Sequence, residues 1–254
     1  MQWNASLYDN RHDFVSKYGA DMVDMLRPGP DENILDLGCG TGDLARQLSE
    51  TGCTVTGMDA SAEMIREAAR KYPSIRFVCA DARDFSLQET FDGVFSNAAL
   101  HWIKEEDQDA VLSRVHAHLK PQGRFVAELG ARGNVAKLIG AIRQVLMENG
   151  HGKHPETGIW YFPSPEAYTA LLQQHGFKVE WMTCYERPTE LRDTENGISE
   201  WLEMFGASFF QGIPADEKRL LVEQIQDRLY DDLYRGGHWM ADYKRLRFEA
   251  LRAA

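Results

Sequence analysis

The segment Ile34 to Ala45 reads ILDLGCGTGDLA: an apolar run, a turn holding Gly38, Gly40 and Gly42, then the start of an amphipathic stretch. In open parallel sheets, ligands bind beyond the carboxyl ends of the strands, and glycine lets the backbone approach them closely. A strand entering a helix through these glycines therefore predicts a nucleotide-like ligand. A dinucleotide does not fit, because the G-x-G-x-x-G/A fingerprint begun at Gly38 needs a small residue at position 43, where the chain has Asp43. Carboxylates from Asp36 before the turn and Asp43 after it would oppose a pyrophosphate and suit a ligand bearing an ammonium group.

More polar residues follow at the ends of apolar runs. Asp59 closes TVTGMD, Asp81 and Ala82 stand in CADARDF, and Asn97 lies in FSNAALHW. In order and spacing these segments resemble the class I S-adenosylmethionine-dependent methyltransferases, whose first motif is an acidic residue followed by G-x-G-x-G. The resemblance covers most of Asn33–Gly130 and implies S-adenosylmethionine as cofactor, with S-adenosylhomocysteine as product. It assigns Asp36, Gly38, Gly40 and Gly42 to the cofactor loop, and Asp59 to the two ribose hydroxyls, which one carboxylate can accept together. It places Ala60 and Met64 in the same cofactor site, Asp81 and the Ala82 amide at the adenine, and Asn97 near the methionyl part.

The methyl group of such a cofactor is already activated, so the enzyme must chiefly align a nucleophile and exclude water. A carboxylate acceptor needs no base. A hydroxyl or amine must lose a proton, for which His101 is the nearest candidate, though a histidine there can equally serve as a structural hydrogen-bonding group. The fourth strand ends in SNAAL, not in the N/D-P-P-Y/F of methyltransferases that modify base amino groups. The order N-A-A-L-H-W, with aromatic Trp3 and Tyr8 near the start and a late insertion, resembles the small-molecule branch that contains trans-aconitate methyltransferase. Tyr8, Trp102 and Tyr161 are expected to line the acceptor pocket with His101. Trp201, Phe205 and Phe209, at helical spacing, read as packing residues. A protein side chain or carrier-bound acyl group stays open as acceptor, as does a noncatalytic cofactor-binding role.

These residues must be held by a scaffold. Between Asn33 and Gly130, short apolar runs alternate with amphipathic segments, as βα units of a mostly parallel sheet do. Strands are expected at Ile34–Leu37, Thr54–Asp59, Arg76–Ala80, Gly93–Asn97 and Arg124–Leu129, with a sixth at Phe177–Tyr185 and a seventh at Tyr243–Ala250. The fold class is α/β: a doubly wound, mostly parallel seven-stranded sheet of the Rossmann-like methyltransferase kind, with a helical cap. The expected divisions are a leader helix in 1–30, the cofactor core at 31–133, helices and an aromatic loop at 134–176, and the last two strands at 177–254 around a cap near 195–235. Pro165 begins a helix that Gly176 stops.

The 254 residues are 43% hydrophobic and 26% charged, the composition of a water-soluble domain, with no apolar stretch long enough to span a bilayer. The N-terminus does not read as a secretory signal, so the cytoplasm is expected and no membrane partner. A net charge of −11 repels phosphate backbones and disfavours nucleic acid as partner, which leaves a small-molecule methyl acceptor. Cys39, Cys53, Cys79 and Cys184 are scattered and read as reduced, mostly buried thiols. His151 and His154 form H-x-x-H without a third ligand, so no metal is expected.

Overall fold

The structure, a computed structural model, describes residues 21–152 and 160–253. These residues form two compact units. The first comprises 21–131, 160–184 and 246–253; the second comprises 132–152 and 185–245. The expected leader helix enters the description at residue 21; its earlier part lies outside the described residues, as do Trp3, Tyr8 and His154.

The strands are β1 (Asn33–Leu37), β2 (Thr54–Asp59), β3 (Arg76–Cys79), β4 (Phe91–Asn97), β5 (Leu119–Gly130), β6 (Phe177–Glu186), β7 (Thr189–Glu190), β8 (Tyr234–Arg235), β9 (His238–Ala241) and β10 (Lys244–Arg252). Seven of them form one sheet in the order β3-β2-β1-β4-β5-β10-β6, and β1 pairs in parallel with both β2 and β4. β2–β3 and β4–β5 are parallel as well, so β1 to β5 all end at the same edge.

Neighbouring residues on these strands bury into opposite cores, as the two-residue period of a strand requires. Ile34, Phe95 and Val126 join Met22, Leu26, Leu48 and Val55, whereas Leu35, Val94 and Phe125 join Leu112, Val115 and Phe248. Both faces are therefore covered, and the strands read as nearly continuous apolar runs. The covering helices include α1 (Asp43–Ser49), α2 (Ala62–Lys71) and α3 (Gln108–His118). Ser61 caps α2 by accepting the Met64 N–H. α5 (Pro165–Gln174), introduced after α4 (Ala136–Glu148), begins at a Ser164 cap and stops at Gly176, whose φ is +78°.

Pro121 and Gly123 lie within β5 as an irregularity, where the register jumps from Phe91↔Leu119 to Gly93↔Arg124.

The second unit holds α4, α6 (Gly197–Phe205), α7 (Ala215–Leu233) and a three-stranded sheet in the order β7-β9-β8. Trp201 packs on Phe205 with ring centroids 5.5 Å apart, and its indole N–H donates to the Tyr243 hydroxyl at 2.8 Å. Both are core residues of this unit. Among the described residues no helix is long and apolar enough to cross a membrane, and no group of three or more His, Cys, Asp or Glu could hold a metal. His151 instead pairs with Glu217. Of the four cysteines, Cys39 and Cys53 are buried but Cys79, on the edge strand β3, is exposed, contrary to the expected burial.

Candidate cofactor and acceptor site

Because β1 to β5 run in parallel, the loops after their last residues share one edge of the sheet. The first of these loops is 38–42. Gly38 and Cys39 both donate to the Met58 carbonyl, and all three glycines have positive φ. At Gly38 an added Cβ would lie 2.3 Å from the Ala99 Cβ, and at Gly42 it would lie 2.8 Å from the Phe77 ring. Gly40 differs, since nothing lies within 4 Å of the corresponding point. Two glycines are thus required by packing, while the third leaves open space. Gly38→Ala is expected to lose about 3 kcal/mol or more of stability in denaturant unfolding, since it adds both a clash and a disfavoured φ. Unchanged stability would mean that the Ala99 turn yields freely.

Asp36 is 2% exposed, and its Oδ2 is buried without a hydrogen-bond partner. Burial, and then the nearby charge of Asp59, raise its pKa to about 8. Asp59 is also raised by burial, opposed by two backbone amides: Gly40 N–H donates to Oδ2 at 3.1 Å and Ser61 N–H to Oδ1 at 2.8 Å. Each of its oxygens keeps one further lone pair for a ligand hydroxyl. Burial, and then the charges of Asp36 and Asp59, push the pKa of the Cys39 thiol well up.

Asp43 is not available to an ammonium group as expected. It pairs with Lys71 at 2.6 Å and accepts the Tyr72 hydroxyl at 2.5 Å. Asp81 accepts its own turn amide from Arg83 at 2.9 Å and the Arg83 guanidinium, which holds its carboxyl below the usual range. Arg83 also reaches Asp107, so the acidic run 105–107 serves partly to fix this loop. Ala60 is exposed, Ala82 is packed against the main core, and Met64 is buried.

After β4, Ala98 takes φ +55° and donates to the Glu128 carbonyl, an unusual backbone for alanine that the β5 pairing enforces. The turn abuts Gly38 through Ala99. Gln108, 1% exposed, donates from one amide to the carbonyls of Leu100 and Ile103 and so pins the loop; the sequence carried no sign of this role. Asn97 is buried at the β4 end, in register with Glu128.

His101 and Trp102 gather with the aromatic stretch 160–162. The His101 ring lies 5.7 Å from Trp102 and 5.9 Å from Phe162, and Trp160 meets Trp102 at 5.7 Å and stacks on Phe162. Tyr161 turns the other way, toward Tyr168 and the core, while its N–H donates to the His101 carbonyl. Burial, then Glu105 and Asp109, raise its phenol pKa. The wall beside His101 is therefore Trp102, Trp160 and Phe162. Alternation along an extended segment is the signal that separates 160 and 162 from 161.

Residues 34–123 match the family model described as a methyltransferase domain. The chain is 36% identical over 98% of its length, and 97% of the relative's, to a Schizosaccharomyces pombe protein named "Uncharacterized methyltransferase C70.08c". This chain belongs to the methyltransferase family. The methyltransferase is also 27% identical, over 98% of both chains, to trans-aconitate 2-methyltransferase of Escherichia coli O139:H28. Its fold matches the structure of geranyl diphosphate methyltransferase in complex with S-adenosylmethionine at a TM-score of 0.57 and 16% identity, covering 94% of this chain and 85% of that one.

The enzyme is an S-adenosylmethionine-dependent methyltransferase with the Rossmann-like fold of that family. The residues present fit the cofactor: an orphaned, buried carboxylate oxygen on Asp36 suits a cationic group, Gly40 leaves room, and Asp59 has lone pairs to spare.

Proposed function

We propose that the methyltransferase moves a methyl group to a small-molecule carboxylate in the cytoplasm, and that nucleic acid is not its partner. The observation that carries this reading is the match, along 98% of each chain, to enzymes named trans-aconitate 2-methyltransferase. The net charge of −11 and the aromatic wall beside His101 support it, since neither favours a phosphate backbone.

In this reading Asp36 meets the cofactor's ammonium, Gly38, Gly40 and Gly42 shape the loop around it, and Asp59 takes the ribose hydroxyls. Ala60 and Met64 border the ribose and adenine, Asp81 and the Ala82 amide take the adenine edge, and Asn97 faces the methionyl part. When bound, S-adenosylmethionine supplies a methyl group on a sulfonium, ready for displacement. His101 and Trp102 exclude water and orient the acceptor, together with Tyr161 through its link to the His101 carbonyl and with Tyr8.

The test is release of S-adenosylhomocysteine with trans-aconitate and other di- and tricarboxylates, alongside panels of phenols, amines and carrier-bound acyl groups. Turnover of a carboxylate to a base-labile methyl ester is expected. Turnover confined to phenols, amines or carrier-bound substrates would overturn the reading of the acceptor.

A further inference from the structure

Arg83, in the turn after β3, grips Asp81 at both carboxylate oxygens. Its Nε donates to Oδ1 at 2.9 Å and its Nη2 to Oδ2 at 2.6 Å, and its backbone N–H also donates to Oδ1 at 2.9 Å. Nη1 reaches away to Asp107 at 3.0 Å. The turn itself is tied down, since the Asp81 carbonyl accepts the N–H groups of Asp84 and Phe85, and Phe85 is buried in the main core. The side chains of Arg83, Asp81 and Asp107 are 50%, 35% and 32% exposed, and ion pairs so open to water add little to stability. What this one supplies is orientation.

A carboxylate offers two lone pairs on each oxygen. On Oδ1 both are taken, by the amide and by Nε, whereas among the described residues Oδ2 receives a single hydrogen bond and keeps one lone pair. Asp107 holds the other end of the guanidinium, and a planar fork held at both ends restricts the carboxylate to one orientation. Asp81 stands two residues past Cys79, the register partner of Asp59, and the Ala80 N–H donates to the Asp59 carbonyl. It therefore belongs to the same edge of the sheet as the carboxylate read as holding the ribose.

From this geometry we infer that Arg83 is a positioning residue for base recognition: it fixes Asp81 as an acceptor with one lone pair to spare, so that the site selects adenine, whose exocyclic amino group donates, over a base with an oxo group in that place. The inference rests on the reading of Asp81 at the adenine edge and gives that reading a mechanism. A carboxylate has no proton to donate, so an oxo group would meet it lone pair to lone pair. The same guanidinium holds the Asp81 carboxyl below the usual range, which keeps it acceptor-only near neutral pH.

The test is calorimetry of the full chain with two probes, S-adenosylhomocysteine and S-inosylhomocysteine, which carries an oxo group in place of the amino group. The readout is the ratio of the two dissociation constants, because a merely structural defect weakens both probes alike. The parent is expected to favour the adenosyl probe by about 50-fold or more. Arg83→Ala is expected to lose about fivefold or more in affinity for the adenosyl probe while the inosyl probe stays within about twofold, so the ratio contracts. Arg83→Lys keeps the charge without the fork and is expected to fall with the alanine variant. Asp81→Ala should contract the ratio further still. An unchanged or wider ratio in R83A, or the parental ratio in R83K, would overturn the inference and leave Asp81 at the adenine. A parent that binds both probes equally, or a parental ratio in D81A, would overturn the reading of Asp81 and the inference with it.

Discussion

Asp36→Asn is expected to stabilise the ligand-free enzyme at alkaline pH and to weaken its hold on S-adenosylmethionine in the same step. The carboxyl has a pKa of about 8 in the folded chain against 3.8 for an ordinary aspartate, because burial and the charge of Asp59 disfavour its ionised form. Between those two values the folded state binds more protons than the unfolded state, so stability falls as pH rises through the window and levels off above about 8. Asparagine mimics the neutral acid and removes that slope. Unfolding curves from about pH 5 to about pH 9 should therefore show the parent losing stability relative to the variant, by about 2 kcal/mol or more at the alkaline end. With the cofactor's ammonium group held there as proposed, the preference would reverse, since a cation beside the orphaned Oδ2 favours the carboxylate. Affinity of the parent should rise with pH toward about 8, and the variant should bind at least about 50-fold more weakly by calorimetry. Equal affinity in the two proteins would remove Asp36 from the cofactor site.

Asp59→Ala should carry the other large effect, a loss of roughly 100-fold in cofactor affinity, because the carboxylate has two duties. It is proposed to accept both ribose hydroxyls, and it already receives the amides of Gly40 and Ser61. Hydrogen bonds to a charged group contribute about 1.5–3 kcal/mol each, so the ribose contacts alone account for more than tenfold, and a loosened Gly40 turn accounts for the rest. Asp59→Asn, which keeps one acceptor, should fall between the parent and the alanine variant. An alanine variant with unchanged affinity and an intact fold would show that the ribose is held elsewhere.

Much of this was legible in the sequence because the main signals are local. Ile34–Leu37 and Thr54–Asp59 read as strands since both faces of the sheet are covered and the runs are apolar throughout, and the observed β1 and β2 agree within a residue. Gly176 read as a helix stop because its positive φ serves that purpose. The small sheet of β7, β9 and β8 had no such signal: Thr189–Glu190 and Tyr234–Arg235 are too short for any period to show. Partners distant in the chain were equally hidden. Asp43 looked like a free carboxylate until Lys71 and Tyr72 met it, and nothing near Gln108 announced that it would hold the carbonyls of Leu100 and Ile103. The face of the 160–162 stretch was recoverable from alternation, yet Tyr161 was expected at the pocket because it lies in a loop segment that flanks the core.

The position of β10 in the sheet bears on how the protein is made. Although it follows both β5 and β6 in the chain, it lies between them in the sheet. On the ribosome, β5 and β6 emerge before the strand that joins them, and the larger segment of the second unit, 185–245, is synthesised between β6 and the end of that wait. Until then β5 offers an open, apolar edge to any neighbouring strand, the kind of exposure that leads nascent chains into aggregates. The finished enzyme therefore depends on a late, long-range closure, and its yield in a cell should be governed less by the stability of the native sheet than by how well that open edge is shielded while translation runs to Arg252.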